Sequence, residues 1–282
     1  MAAITLGFSS LRAAVLCSAV VATTTLGVEA STRFQPHRAV YDLAMIDTSN
    51  RAGIDGVTGR IVYELTGSPC EGYTSRYRYY TDMRIGGKLL TNDQRSTTFE
   101  SADGKRFDFL SQYFLNGQRE QDLHGSASKT NDGIQVTLKK PDERDVTLGP
   151  AMFINAHLSK IIQSAKAGET ILTATVYDGS DEGDELVETT TIIGKHQNST
   201  AQGLGESEDA WQIIPDKSGW KVSVTYYNNE VIEGGGELLP GYQVSFVLHP
   251  DGISRDLTLR YEDYSLSGVL KQIELLPSKT CE

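Results

Sequence analysis

Cysteine is scarce. The chain has three in 282 residues, Cys17, Cys70 and Cys281, too few for a dense disulfide scaffold or for metal centres built on thiolate sets. Histidine is nearly as rare: His37, His124, His157, His196 and His249 are scattered, with no pair at metal-ligand spacing. There is no G-x-S-x-G elbow, phosphate-cradling glycine loop or dinucleotide fingerprint. The glycines of GLGES and EGGGE lead into loop residues rather than into a helix that follows a strand. No catalytic residue, metal ligand or cofactor is therefore expected, and only a triad assembled from distant residues is left open. Basic residues are also short, 26 Lys and Arg against 37 Asp and Glu, for a net charge of −11. That balance argues against nucleic acid or anionic lipid headgroups as the main partner, since both are repelled by it. After residue 30 no apolar run is long enough to cross a bilayer as a helix.

The first thirty residues, MAAITLGFSSLRAAVLCSAVVATTTLGVEA, differ from the rest. Arg12 precedes an apolar, small-residue run too short and too threonine-rich for a comfortable membrane span, and Val28-Glu29-Ala30 precedes STRFQPH as small residues precede a signal-peptidase site. Residues 1–30 are read as a cleaved export signal, leaving residues 31–282 as one large β domain or two fused halves; an uncleaved anchor is the alternative. A lipidated cysteine fits less well, because Leu16 precedes Cys17 where a small residue is wanted. The segment carries one basic residue, Arg12, and one acidic residue, Glu29, so its removal leaves the net charge at −11. It also removes Cys17. Two cysteines then remain in an oxidising compartment, the number that makes one bridge, with two unrelated thiols as the other possibility. A bond from Cys70 to Cys281 would act as a clasp on the last strand.

From His37 onward the dominant pattern is alternation. In GRIVYELTG, Ile61, Tyr63 and Leu65 share one face and Arg60, Val62 and Glu64 the other. The same period places Trp220, Val222, Val224 and Tyr226 inward in GWKVSVTYYN, Tyr242, Val244, Phe246 and Leu248 in GYQVSFVLHP, and Leu257, Leu259 and Tyr261 in RDLTLRYEDY. Turn signals at SADGKR, KTNDGIQ, DKSGW and HPDGIS predict tight antiparallel hairpins. One segment, PAMFINAHLSKIIQSAKAG, predicts a helix with Pro150 near its first position, Gly168 as its stop and Met152, Phe153, Ala156, Ile161 and Ile162 as its apolar stripe. The expected fold is mostly β: a large antiparallel curled sheet with one or two short helices, since a dozen or so strands cannot lie flat. An integral outer-membrane barrel is the rival. Against it stand alternating runs of only five to eight residues, charged polar faces and a charged, cysteine-bearing end.

Two clusters invite a functional reading. In VYDGSDEGDELVE, Asp178, Ser180, Glu182 and Gly183 imitate the first half of a calcium loop, but Thr189 stands where a bidentate glutamate is needed. A solvated acidic turn is preferred, with Asp181, Asp184 and Glu185 as charges beside an exposed sheet edge. In YTSRYRYYTDM, Tyr73, Tyr77 and Tyr79 share one strand face and are candidate ligand-binding residues lining a groove, with Arg76, Arg78 and Tyr80 opposite. Packing in the core of a curled sheet is the plainer explanation of the same stripe.

The blocks HRAVYDL at His37–Leu43, GVTGRIVYELTGSPCEGY ending at Tyr73, DQRSTTFESADGKRF at Asp93–Phe107 and VYDGSDEGD at Val176–Asp184 resemble the cell-envelope integrity protein EipB family of alphaproteobacteria. The resemblance spans residues 31–282 nearly end to end, with Asn198 to Asp209 outside it. It implies a periplasmic antiparallel β-spiral related in shape to the LolA and LolB lipoprotein carriers, with one disulfide corresponding to Cys70 and Cys281 and no catalytic residues. The expected role is non-enzymatic: support of cell envelope integrity under stress, by a monomer that binds a periplasmic protein partner or an apolar, lipid-like ligand in a sheet-lined cavity. The alternative is an envelope hydrolase acting on peptidoglycan or lipid.

Overall fold

The structure, a computed structural model, describes residues 32–49, 53–180, 182–227, 240–279 and 281. The export signal expected up to Ala30, and Cys17 within it, lie outside the described residues. The strands, in chain order, are β1 (His37–Thr48), β2 (Ile54–Ser68), β3 (Gly72–Ile85), β4 (Lys88–Glu100), β5 (Arg106–Leu115), β6 (Gln118–Lys129), β7 (Ile134–Lys140), β8 (Arg144–Leu148), β9 (Ile171–Val176), β10 (Val187–Ile193), β11 (Trp220–Tyr227), β12 (Pro240–Leu248), β13 (Ser254–Arg260) and β14 (Tyr264–Leu275). Helix α1 (Ile154–Ala167) separates β8 from β9, and α2 (Glu208–Ile213) lies between β10 and β11.

All fourteen strands form one antiparallel sheet in the order 8-7-6-5-4-3-2-1-14-13-12-11-10-9. Two meanders, β1–β8 and β9–β14, are thus joined where the first strand pairs with the last, His37 opposite Leu275 through Thr48 opposite Tyr264. Curling follows from chain length alone. Laid flat at ~4.8 Å per strand, the outer strands β8 and β9 would lie roughly 60 Å apart. Yet Met152, four residues after β8 ends, bridges Val176 at the end of β9, and four residues span at most about 14 Å. The sheet must wrap until its two edges are spanned by this short segment.

The inward sets expected on β2, β11 and β13 face the interior. Ile61, Leu65, Trp220, Val222, Val224 and Leu259 are buried, whereas Arg60 and Lys221 are exposed. Strands are longer than the alternating runs indicate: β2 has 15 residues and β3 has 14. Pairing continues through Gly56 and Gly59, where the hydropathy pattern lapses but the hydrogen-bond ladder does not. The outward face of β1–β4 carries ion pairs, Arg60 with Asp42, Arg76 with Glu64, and Arg78 and Arg95 on one Asp93, where a membrane barrel presents an apolar band. The two guanidiniums hold the Asp93 carboxyl down at about 2 against the opposing effect of its partial burial.

Three of the four expected hairpins form, at SADGKR, KTNDGIQ and HPDGIS. DKSGW does not, because the run before it is α2 rather than a strand, and its Gly219 instead pairs with Gln197 across the base of a long loop. Two tighter hairpins lie outside the expected set, Gly86-Gly87 and Asn116-Gly117; each has both residues at positive φ, as two-residue turns between twisted strands require, and Gly-Gly and Asn-Gly are the dipeptides that signal such turns.

Helix α1 ends where expected, at Gly168 in the left-handed region, with the Gly168 and Glu169 N–H groups donating to the Ala165 and Ser164 carbonyls in the terminal turn. Its start is later than Pro150 indicates. Met152 is held in the bridge to β9, so the first helical residue is Ile154, and the cap position, Phe153, has no polar side chain to offer. The cap comes instead from β4. Glu100, 4 % exposed, accepts hydrogen bonds from the N–H groups of Asn155 (2.7 Å) and Ala156 (3.1 Å).

The buried Arg255 on β13 organises the long loop between β10 and β11. It shares the inward face with Leu257 and Leu259, and an unpaired guanidinium there would be costly. Glu206 (2.9 Å), Thr200 Oγ1 (2.7 Å), the Ala201 carbonyl (2.7 Å) and His249 Nε2 (3.2 Å) accept its protons, and the Trp211 ring lies 4.5 Å away. His249 in turn donates from Nδ1 to the Ser218 carbonyl (2.7 Å), which defines its neutral tautomer. The loop residues Ala210 and Ile214 thereby reach the core formed with Tyr41, Leu266 and Leu270.

Cys70 and Cys281 are joined in a disulfide with Cα atoms 5.8 Å apart, 211 residues apart in sequence. After β14 the chain crosses the start of β1, with Leu276 N–H donating to the Pro36 carbonyl, and reaches the β2–β3 turn, where Lys279 pairs with Glu71. A closed loop of that length contributes about 5 kcal/mol in the chain-entropy account. Reduction, or Cys281→Ser, is expected to lower Tm by several degrees, at about 2–4 °C per kcal/mol for a domain this size; calorimetry with and without reductant checks it, and identical melting curves would refute it.

The Glu100 cap makes stability depend on pH. Burial pushes the Glu100 carboxyl up to about 7, against the two helix N–H donors and Lys129, which favour the ionised form. Because the folded value lies above the ordinary carboxylate range, its stabilising contribution is complete below about pH 4.5 and is lost as pH rises through 7. Between pH 5 and 8, the stability advantage of the native chain over Glu100→Gln is expected to shrink by on the order of 1–3 kcal/mol. Urea unfolding of both proteins at the two pH values measures this, and the histidine contributions cancel in the difference. A constant difference would refute it.

Candidate functional site

The wrapped sheet leaves a cavity of about 890 Å³, inside the ~300–1,000 Å³ range of small-molecule sites. Its walls come from both meanders: His37 and Tyr41 from β1, Ile61 and Tyr63 from β2, Tyr77 and Tyr79 from β3, Tyr226 and Tyr227 from β11, Tyr242 and Val244 from β12, and Leu257, Leu259 and Tyr261 from β13 and the residue after it. Tyr79 and Tyr261 hydroxyls lie 3.4 Å apart. Their strands, β3 and β13, are four places apart in the sheet, about 19 Å if it were flat. The curl therefore creates the site.

Eight tyrosines line this space, and register explains how they converge. Tyr226 is directly opposite Tyr242, and their rings stack at 4.4 Å and 6°. Tyr261 continues the row at 6.3 Å from Tyr242, and Tyr264 follows at 4.8 Å. A register shift between Tyr226 and Tyr227 brings neighbours in the chain to the same cavity, as a bulge re-aims a side chain. Burial pushes the hydroxyls of Tyr41, Tyr63, Tyr77, Tyr79, Tyr226 and Tyr242 above the ordinary phenol range, helped by the neighbouring Tyr261 at Tyr77 and Tyr79 and by Tyr226 at Tyr242. They stay neutral near pH 7. Tyr242 nevertheless keeps 36 % of its surface accessible, which is cavity wall.

His37 is the one histidine at the cavity. Its Nδ1 donates to the Gln35 carbonyl (2.7 Å), and burial lowers its pKa despite that bond, so it is a neutral ring with Nε2 as an acceptor. The other described histidine networks are elsewhere: His157, lowered to about 4 by burial, contacts Thr189 under α1, His249 serves Arg255, and His196 lies on Trp220.

The acidic turn VYDGSDEGDELVE forms part of the rim. Tyr177 donates its hydroxyl proton to the Gly183 carbonyl (2.8 Å), and Asp178 Oδ1 accepts from Ser180 N–H (2.9 Å). Gly179 and Gly183 both have positive φ, and a Cβ on them would meet the Phe109 ring at 2.7 Å and Leu138 at 2.9 Å. Glycine at both places lets the turn seat against the β5–β7 core and present Asp178, Ser180 and Glu185 to the cavity. The turn does lie beside the outer strand β9 with Glu182 and Glu185 exposed, as solvated edge charges would be, but Glu185 also lines the site and Asp184 is held by Arg144 at 2.7 Å. Asp181 lies outside the described residues.

Of the three tyrosines singled out in the sequence, Tyr77 and Tyr79 line the cavity and Tyr73 does not. Tyr73 shares their face but lies four residues nearer the Cys70 turn, roughly 13 Å along the strand. There its ring meets Phe34 edge-on and its oxygen accepts from Phe34 N–H (3.2 Å), within the core beneath α1. Arg76 and Arg78 point outward into the ion pairs, and Tyr80 donates to Asp82. Cys70 and Cys281 are exposed and apart from the cavity lining. The site groups that sequence reasoning missed are His37, Asp178, Glu185, Tyr226, Tyr242 and Tyr261. Alternation places the last three facing inward, but their meeting depends on which strands neighbour one another.

No helix among the described residues is long and apolar enough to cross a membrane. A crystal structure of a beta-barrel-like protein, from a domain of unknown function of Brucella abortus, superimposes with a TM-score of 0.79 at 33 % identity, covering 88 % of this chain and 100 % of that one. The Cell envelope integrity protein EipB of Brucella abortus (strain 2308) is 36 % identical over 245 residues, 86 % of this chain and 85 % of its own length. The EipB-like family profile matches residues 28–277. The chain belongs to the EipB-like family.

Proposed function

We propose that this protein works in the periplasm as a non-enzymatic binding protein that supports cell envelope integrity, with an apolar, lipid-like molecule held in the tyrosine-lined cavity. The cavity carries this reading. It is of ligand size, it is walled by strands from both ends of the chain, and its surface combines aliphatic side chains (Ile61, Val244, Leu257, Leu259) with rings whose hydroxyls stay neutral. Such a wall accommodates an apolar chain and still offers hydrogen bonds to a polar end. The name of the Brucella relative supports the envelope setting. The segment ahead of residue 31, with its signal-like apolar run, supports export, and two cysteines bonded to one another suit an oxidising compartment. A hydrolase needs a nucleophile or base with a convergent partner at the cavity; His37 is bonded through Nδ1 to the Gln35 carbonyl, and no hydroxyl or carboxyl among the described residues is hydrogen-bonded to its Nε2.

The test is occupancy of the cavity. The neutral fluorophore N-phenyl-1-naphthylamine is expected to bind saturably to the purified protein, and Leu257→Trp, which fills the wall, is expected to reduce that binding by about tenfold or more, a change of ~1.4 kcal/mol, with its circular dichroism unchanged. The same variant is expected not to restore detergent resistance to cells lacking the native protein. Saturable binding untouched by Leu257→Trp, or full restoration by it, would overturn the reading.

A further inference from the structure

The charge of the cavity wall is one-sided. Among the described residues its ionisable carboxyls are Asp178 and Glu185, no lysine or arginine lines it, and its single histidine is the neutral His37. Lysines and arginines are present elsewhere, 26 in the whole chain. Those of β2–β4 nearest the site in sequence, Arg60, Arg76 and Arg78, are turned to the outer face and tied to Asp42, Glu64 and Asp93. A ligand with a carboxylate, sulfate or phosphate head would find no countercharge among the described lining residues and two carboxylates at the rim, within a protein of net charge −11.

The aromatic wall has the complementary preference. Ring faces attract cations, most strongly where water is partly excluded. The stacked row Tyr226, Tyr242, Tyr261 lines the cavity and ends on Tyr264, which covers the far side of Tyr261, so the free ring face is that of Tyr226, with the edges of Tyr242 and Tyr261 beside it and Tyr77 and Tyr79 across. Asp178 is close enough to this row to act on the Tyr226 and Tyr242 hydroxyls. Aliphatic side chains from β2, β12 and β13 complete the wall. The space thus joins an apolar strip, an aromatic face and a negative rim.

We infer that the cavity selects amphiphiles with a cationic amine head, protonated or quaternary, seated between the tyrosine row and the Asp178–Glu185 rim, with the apolar chain along Ile61, Val244, Leu257 and Leu259. This rests on the proposal that the cavity binds a lipid-like molecule, and it adds the sign of the head. The rim turn is braced to present its carboxylates, since Gly179 and Gly183 let it seat tightly, and Tyr177 and Arg144 hold it from the side away from the ligand.

Three probes with the same twelve-carbon chain separate the possibilities: dodecyltrimethylammonium, dodecyl maltoside and dodecyl sulfate, each titrated below its micelle concentration into the oxidised full domain, with circular dichroism to verify the fold. The ammonium probe is expected to bind at least about tenfold tighter than the sulfate, and the preference is expected to weaken with added salt. In Asp178→Asn/Glu185→Gln the preference is expected to collapse while maltoside binding is unchanged. In Asp142→Asn/Glu143→Gln, which removes the same charge from the exposed β7–β8 turn, it is expected to persist. Sulfate binding as tightly as ammonium, or a preference lost equally in both double variants, would overturn the inference and leave the lipid-like reading standing. Failure of all three probes to bind would overturn both.

Discussion

The ladder between β1 and β14 is the constraint on which the rest of the molecule depends. Each meander by itself is a curved sheet with an apolar inner face and nothing to cover it. Pairing the first strand with the last makes one sheet of fourteen strands, and only then do the two inner faces confront each other. The residues that meet across the interior, such as Tyr79 and Tyr261, are 182 apart in sequence. Such contacts reward the chain late, after long loops have closed. The disulfide lies beside this same junction: it ties the segment after β14 to the β2–β3 turn and so holds the edge of the ladder most prone to fray.

A sheet of this size leaves an interior too wide for aliphatic side chains alone to fill, and the chain handles the excess in three ways. Helix α1 packs against Leu65, Val222 and Val224 at one region, and the β10–β11 loop with α2 inserts Ala210 and Ile214 at another. Between them the tyrosines line what is left as a cavity. Both insertions are anchored by a buried ionisable group acting at long range in sequence, Glu100 on the α1 N-terminus and Arg255 on the loop. In a low-dielectric interior these groups tolerate few alternatives, so they specify where the inserted segments sit.

Tyrosine suits such a wall because one side chain supplies a large apolar face and a polar tip. The ion pairs on the outer face and the neutral phenols inside sort charge to opposite sides of the same strands: on β3, Arg76 and Arg78 face out while Tyr77 and Tyr79 face in. Two-residue periodicity alone accomplishes this sorting.

That periodicity is why so much was legible in the sequence. Alternation placed Ile61, Leu65, Trp220, Val222 and Leu259 inside, Gly168 marked the end of α1, and a bridge between Cys70 and Cys281 followed from the expectation that two cysteines remain once residues 1–30 are removed. These are local signals or simple counts, fixed by backbone geometry within a few residues. The wrap, the site and its rim were decided by tertiary structure. Tyr73 shares a face with Tyr77 and Tyr79 yet packs under α1, because position along a strand, not face, determines which neighbour is met. DKSGW reads as a hairpin but closes a loop, Phe153 lacks a cap of its own and receives one from Glu100, and Arg255 sits where alternation demands an apolar residue because Glu206 waits there. Sequence period determines which way a side chain points; what it points at depends on strand order and curl, which arise only when segments two hundred residues apart come together.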